Sequence, residues 1–275
     1  MKFGVREICD VVLRAKGTVK VGETTFSHDE PVIYFDSAKT STVEGSATTV
    51  YATGGRGNNK LLAWEGEKSV TFTMEDALLS PLGFSILSGA GLVDAGQVEG
   101  GMKVHTTLTT VVDVTEGITV NLAQLTGKEI ANEKAYAFSM KDGQIVERLD
   151  PAVPSSGTVT FSRKERAAGK LTGEQTVMVD FYVSVKTGAV EMTIEPDKFG
   201  GFYYLEASTL FRRQDNGQDM AAAFVIPKVK IQSNFTFSMA SSGDPSTFTF
   251  TMDAFPDYTK FDPTKQVLFA LQIIE

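Results

Sequence analysis

Residues that do covalent chemistry are scarce in this chain. Its 275 residues include one cysteine, two histidines and one tryptophan. A single cysteine, Cys9, excludes an internal disulfide and any zinc site built on several thiolates. Folding therefore does not depend on oxidation, as expected of a chain made in a reducing cytoplasm. There is no run of about 18 apolar residues, so no transmembrane helix and no membrane partner are expected. The opening residues carry charge at Arg6, Glu7 and Asp10, where a signal peptide needs its apolar stretch, so export by that route is not expected. Positive charge is also short. There are 26 Lys and Arg against 34 Asp and Glu, a net of −8. Tight nucleic-acid binding runs on phosphate neutralisation, and this balance argues against it.

The deficit is uneven. Residues 1–102 carry 9 basic and 13 acidic side chains, residues 103–175 carry 9 and 9, and residues 176–275 carry 8 and 12, so the neutral middle hints at a separate module. The remaining composition, 42% apolar and 22% charged, is that of a globular protein and rules against a disordered one. This length accommodates one large all-β domain or two smaller ones.

What the sequence does have is alternation. Val177, Val179, Phe181, Val183 and Val185 share one face of an extended segment, as do Val70, Phe72 and Met74, and Phe248, Phe250 and Met252. Threonines fill many of the opposite positions, where a branched Cβ fits the pleat and the hydroxyl stays wet. From Val225 through Pro227, Val229, Ile231, Phe235 and Phe237 to Met239 one parity persists, predicting a long strand that bends between sheets or projects beyond the domain. Pro227 cannot donate to a ladder and is expected at an edge or a bulge. Turns are expected at Asp142-Gly143, Thr187-Gly188, Asp215-Asn216-Gly217 and Ser241–Pro245. Two helices are candidates. Val5, Ile8, Cys9, Val12 and Leu13 fit the helical template, with a strand as the alternative, and Ser80-Pro81 reads as a helix start that Gly89 or Gly91 would stop. The fold class is mainly β: two packed antiparallel sheets, as a sandwich or barrel, with one or two short helices. Residues 124–175 are polar and loop-like around short strands at Tyr136–Met140 and Thr158–Phe161, so they read as an inserted β module or a set of long loops within a domain made of 1–123 and 176–275.

No motif in the sequence carries a reaction. His28-Asp29-Glu30 reads as a surface turn rather than a metal ligand set, and His105 as the start of a threonine-rich strand. Gly83-Phe84-Ser85-Ile86-Leu87 lacks the second glycine of a nucleophile elbow. Thr53–Lys60 is glycine-rich, but Asn59 precedes Lys60 and Leu61 follows it, so it fails as a phosphate loop and reads as an inter-strand loop. Asp215–Asp219 lacks the later ligands of a calcium loop. Cys9 reads as a small buried residue. The expectation is a non-enzyme without cofactor or metal. A glycan hydrolase stays open as a third reading because carboxylates are plentiful, although a lone tryptophan speaks against a sugar-stacking cleft.

Two stretches resemble the tube subunits of long bacteriophage tails. One runs from Val50-Tyr51-Ala52-Thr53-Gly54-Gly55-Arg56-Gly57-Asn58 through Leu61–Lys68 to Val70–Ser80. The other runs from Phe202–Ala207 through Leu210-Phe211-Arg212 and Asp215–Asp219 to Phe224–Ile231, and closes with Gly243–Phe248. The resemblance implies two packed antiparallel sheets and a helix, subunits paired around a ring, and rings stacked through long loops. It implies a virion protein of the tail, made in the bacterial host cytoplasm, whose partners are itself and other tail proteins (sheath, baseplate or terminator). Its channel would pass DNA without holding it. A neutral or acidic lining suits that passage, with residues 124–175 outside the bore or at its outer surface. A capsid-decoration or adhesin-type β-sandwich would be equally acidic and equally free of catalytic motifs, and stays open on sequence alone. The polar loop residues Gly54, Gly55, Arg56, Gly57 and Asn58 are expected at subunit contacts. So are Arg212, Arg213, Asp215, Asn216 and Asp219 of the second turn, and the basic pair Lys228 and Lys230.

Overall fold

The computed structural model describes residues 2–5, 7–21, 24–89, 91–115, 117–162, 173–197, 200–236, 241–242 and 247–274. The chain is mainly β, with two short helices, and forms two compact units: Met1–Leu92 with Met192–Glu275, and Val93–Glu191. No helix among the described residues is long and apolar enough to cross a membrane.

The first unit begins with β1 (Phe3–Val5), β2 (Asp10–Ala15), β3 (Val19–Val21), β4 (Thr24–Phe26), β5 (Pro31–Phe35), β6 (Ala38–Gly54), β7 (Asn59–Asp76) and α1 (Pro81–Ser88). The chain leaves it through β8 (Gly91–Asp94). The second unit holds β9 (Met102–Asp113), β10 (Ile118–Asn121), α2 (Leu122–Thr126), β11 (Tyr136–Lys141), β12 (Gln144–Arg148), β13 (Thr158–Phe161) and β14 (Glu174–Val185). The chain returns through β15 (Val190–Thr193), which pairs with β8. It completes the first unit with β16 (Phe202–Arg213), β17 (Asp219–Ile231), β18 (Phe248–Ala254), β19 (Asp257–Tyr258), β20 (Gln266–Val267) and β21 (Ala270–Ile273).

The large sheet of the first unit runs β5-β2-β16-β17-β18-β7-β6, with β1 added to β16 and β21 to β17. Its inner face buries Val11, Leu13, Phe72, Met74, Leu205, Ala207, Phe250 and Met252 against Ile86 and Leu87 of α1 and Val19 and Val21 of β3. Helix α1 starts and stops where its ends are satisfied. Ser80 Oγ accepts the Gly83 amide at 2.9 Å, Pro81 occupies the first turn, and Gly89 ends the helix in the left-handed region at φ 68°. Burial pushes the Tyr203 phenol up to about 12.

The amino-terminal helix candidate is a strand. Val11, Leu13 and Ala15 are fully buried with period 2, and β2 pairs with β16 on one side and β5 on the other. The helical spacing arose by joining Val5 and Ile8, which precede β2, to Val12 and Leu13 within it. Two ladders satisfy the β2 backbone, and the branched valines pack on the pleat.

Strand β17 also departs from expectation. It ends at Ile231, residues 232–236 are irregular, and residues 237–240 and 243–246 lie outside the description, including most of the Ser241–Pro245 turn and part of Gly243–Phe248. Pro227 does sit at a bulge. Tyr203 pairs with Val229 and Leu205 with Ile226, so Pro227 and Lys228 together face Tyr204. The strands that run on past their sheet neighbours are instead β6 and β7, which beyond Val70 pair only with each other among the described residues.

In the second unit, the sheet β12-β11-β14-β9 packs against the pair β10-β13. Val177, Val179, Phe181 and Val183 are buried in the alternation read from sequence, together with Val120, Val159 and Phe161. Asp142 (φ 51°) and Gly143 (φ 75°) form the two-residue turn between β11 and β12. The unit is wider than the 124–175 span that composition set apart, because β9 and β14 pair along 12 residues and belong to one sheet. Residues 163–172 lie outside the description.

Candidate functional site

The β6–β7 hairpin is built in two parts. At its root β7 pairs with β18 over Thr71–Asp76, and Phe72 and Met74 enter the core. Asp76 is buried there, accepting hydrogen bonds from Ser37 Oγ and, at 3.3 Å, from the Leu78 amide. Beyond Val70 the two strands pair only with each other among the described residues. The segment Glu44–Gly54 extends about 35 Å at the usual strand rise. Every residue of Asn59–Ser69 is exposed. Register shifts at Ala38/Thr40, Ala47/Thr49 and Ala52/Thr53 interrupt the ladder. At the second of these, a Cβ on Gly66 would collide with Thr48 Oγ1, so glycine permits the close approach.

The distal part carries apolar side chains that no layer among the described residues covers. Val50 is 59% exposed, Leu61 63%, Leu62 60% and Trp64 54%. Val50 lies opposite Trp64 and Ala52 opposite Leu62, which places these residues on one face. The opposite face carries Tyr51, with the Lys60 ammonium 3.7 Å from its ring centroid.

The tip is the glycine-rich segment. Gly54 pairs with Asn59, and the four residues between them turn the chain, with the Asn58 amide donating to the Gly55 carbonyl at 3.2 Å. Gly55 at φ 76°, Gly57 at φ 89° and Asn58 at φ 51° occupy the left-handed region, and Arg56 is exposed. The turn joins two strands, not a strand and a helix, so the segment lacks the framework of a phosphate loop.

A second turn, between β16 and β17, gathers Arg212, Arg213, Asp215, Asn216 and Asp219. Arg212 grips Asp219 with two bonds, Nε–Oδ1 at 2.6 Å and Nη2–Oδ2 at 2.8 Å. Arg213 grips Asp215 in the same way at 2.9 and 2.5 Å. These hydrogen bonds hold both carboxyls below the usual carboxylate range and push the Arg212 guanidinium up. Asn216 Oδ1 accepts the Gln218 amide at 3.0 Å, and Gly217, at φ 68°, closes the turn. The calcium-like spacing of Asp215 and Asp219 thus serves ion pairs within the turn. Lys228 and Lys230 lie apart from this cluster, 4.5 and 5.7 Å from the Phe202 ring centroid.

The face of β2, β16 and β17 turned away from the core has its own charge pattern. Asp10 lies opposite Ser208, and Leu210 opposite Ala221. Arg14 Nε is 2.9 Å from Glu206 Oε2. With Arg212 held by Asp219, both arginines of this face have a carboxylate partner.

The other candidates are local structure. His28 Nδ1 accepts the Gly17 amide at 3.1 Å within a turn that holds Asp29 at φ 69°. His105 stands on β9 with Nε2 3.0 Å from Asp180 Oδ1. Cys9 is buried, and desolvation pushes its thiol up. Among the described residues no group of three or more His, Cys, Asp or Glu side chains could hold a metal ion. The sequence placed both turns; it presented Val50, Leu61, Leu62 and Trp64 only within the stretch that resembles tube subunits, and not among the expected contact residues.

A family model described as the YomU/Tube protein family matches residues 16–265. The chain belongs to that family. It is a phage tail tube family, and the match spans the whole of both structural units except the terminal segments. The mainly β fold, with antiparallel sheets and two short helices, agrees with tube-family membership. No curated protein matches the chain.

Proposed function

We propose that this tube-family chain closes into rings that stack into a tail tube, a structural component of the virion that passes the phage genome. The observation that carries this reading is the β6–β7 arm. A two-stranded ribbon with four large uncovered apolar side chains is marginal in water by itself and gains stability when another surface covers it. A neighbouring copy supplies that surface in every subunit of a stack, because head-to-tail contacts repeat without limit. The tip residues Gly54, Gly55, Arg56, Gly57 and Asn58 then meet the next subunit. The Arg212, Arg213, Asp215, Asn216 and Asp219 turn makes a second contact, and Lys228 and Lys230, at the other end of β17, make a third. Sheath, baseplate or terminator proteins bind the finished tube.

The outer face of β2, β16 and β17 lines the channel in this reading. Its arginines, Arg14 and Arg212, are each neutralised by a carboxylate, while Lys228 and Lys230 stand beside the Phe202 ring at the other end of the face. Catalysis has no part in this role.

Trp64 makes the test direct, because it is the only tryptophan. Its emission is expected to shift to the blue and resist quenching as tubes form in negative stain. Trp64→Ala and Leu62→Asp chains are expected to fold and remain unassembled. Normal tubes from both variants, or tubes in which Trp64 stays as quenchable as in the soluble chain, would overturn the role given to the arm.

A further inference from the structure

The edges of the two large sheets are guarded unequally. Strand β5 is five residues long and begins with Pro31, β6 is broken by three register shifts, and β12 is short, with a shift opposite Ser139/Met140. Proline, brevity and bulges are the usual devices that keep an edge from pairing with another chain. Strand β9 has none of them. It pairs with β14 over 12 consecutive residues without a shift, and its other edge has no backbone partner among the described residues. Between Lys103 and Asp113 the only ionisable side chain is His105. In the row that faces the core, Thr106, Leu108, Thr110 and Val112 are partly buried and Val104 is exposed, so a strand added here would also cover apolar surface.

We propose that β9 of one chain pairs antiparallel with β9 of a second copy, centred on Leu108, before assembly. The sequence Lys103-Val-His-Thr-Thr-Leu-Thr-Thr-Val-Val-Asp113 is nearly its own mirror in that register. Lys103 meets Asp113 of the second copy at each end. Val104 meets Val112, Thr106 meets Thr110, Thr107 meets Thr109, and Leu108 meets itself. Opposite charges, paired threonines and paired branched residues are the cross-strand combinations that stabilise a sheet. Each pair joins residues of equal parity, so the core-facing rows continue from one copy into the next. The result is an eight-stranded sheet with a two-fold axis. Such an axis has no place between like-oriented subunits of one ring stack, so the pairing belongs to the unassembled chain and does not depend on the tube reading.

Thr107 and Thr109 are exposed and suit a test that leaves the core alone. In sedimentation of the soluble full-length chain, the wild type is expected to show a monomer–dimer equilibrium. The double substitution Thr107→Lys with Thr109→Lys sets like charges opposite each other and should weaken the dimer at least about tenfold. Thr107→Lys with Thr109→Glu sets opposite charges in the same places and should restore it. Alternate amides of residues 104–112 should exchange more slowly in the dimer than in the monomer. A wild type that stays monomeric, a double-lysine variant as dimeric as the wild type, or a lysine–glutamate variant as weak as the double-lysine one would overturn the pairing. A soluble fraction that is monomeric beside normal tubes defeats this inference and leaves the tube reading intact. Dimers with the expected charge dependence but no tubes do the reverse.

Discussion

The root of the β6–β7 hairpin alternates apolar and polar residues, its distal half carries the consecutive apolar residues Val50–Ala52 and Leu61–Trp64, and the two halves differ in what lies over them. At the root, Phe72 and Met74 are fully buried beside Phe250 and Met252. In the distal half, Val50, Leu62 and Trp64 keep strand pairing and register but face solvent. Strand pairing therefore does not by itself bury a side chain; burial requires a second layer, and among the described residues none covers the distal half. Its apolar side chains add little to the stability of the monomer and are available to another surface.

Truncation at the root should give the largest effect. Phe72→Ala removes a fully buried ring and should cost about 3–5 kcal/mol, read from denaturant unfolding of the soluble chain. Trp64→Ala, a larger truncation on the same hairpin, should change that midpoint by no more than about 0.5 kcal/mol while abolishing tubes. If Trp64→Ala destabilised the monomer as much as Phe72→Ala does, the contrast between root and arm would collapse.

The tip sharpens the same contrast at smaller cost. In Gly55→Val with Gly57→Val the new Cβ atoms have room, the nearest neighbour of either being Asn59 Oδ1 at 3.7 Å. The penalty is backbone strain of about 1–2 kcal/mol per residue at positive φ. It should fall on the turn geometry, leaving the core folded and assembly impaired. Wild-type assembly from this variant would remove the tip from the contact.

The smallest effect concerns the arginine–aspartate turn. Hydrogen bonding to Arg212 lowers the Asp219 carboxyl, so its folded pKa lies below the unfolded value of about 3.9. Stability from this pair is then present in full above that pH and fades as pH falls through the folded value. Asp219→Asn should flatten the acid limb of a thermal-melting series between neutral pH and about pH 3. High salt should blunt the difference, because the pair is exposed. An unchanged acid limb would show the pair to be neutral for folding.

The charge map shows how a boundary alters a reading. Residues 103–175 are neutral, but the compact unit Val93–Glu191 carries 10 basic and 13 acidic side chains, so its charge resembles that of the rest of the chain. The hint of a module came from a window that cut off Asp94, Glu99, Asp180 and Glu191. Strand pairing between β9 and β14, distant in sequence, sets the unit's limits, and composition carries no trace of that pairing.

Several features were determined by local sequence alone. Val177 to Val183 alternate because each strand residue points opposite to its neighbour, and a buried face then selects valine and phenylalanine. Ser80 and Gly89 bound α1 because helix ends leave amides and carbonyls that a side-chain oxygen and a left-handed glycine satisfy. Asp142-Gly143 and Asp215-Asn216-Gly217 turn the chain because these residues tolerate positive φ or accept nearby amides. Tertiary structure alone decided the rest. The segment Asp10–Ala15 became a strand because two partners flank it, overriding a helical spacing. Strand β17 stopped at Ile231 although its parity continued. The arm left the core at Val70 because no layer among the described residues covers it there, and layers are assembled from segments far apart in the chain, which a local pattern cannot represent.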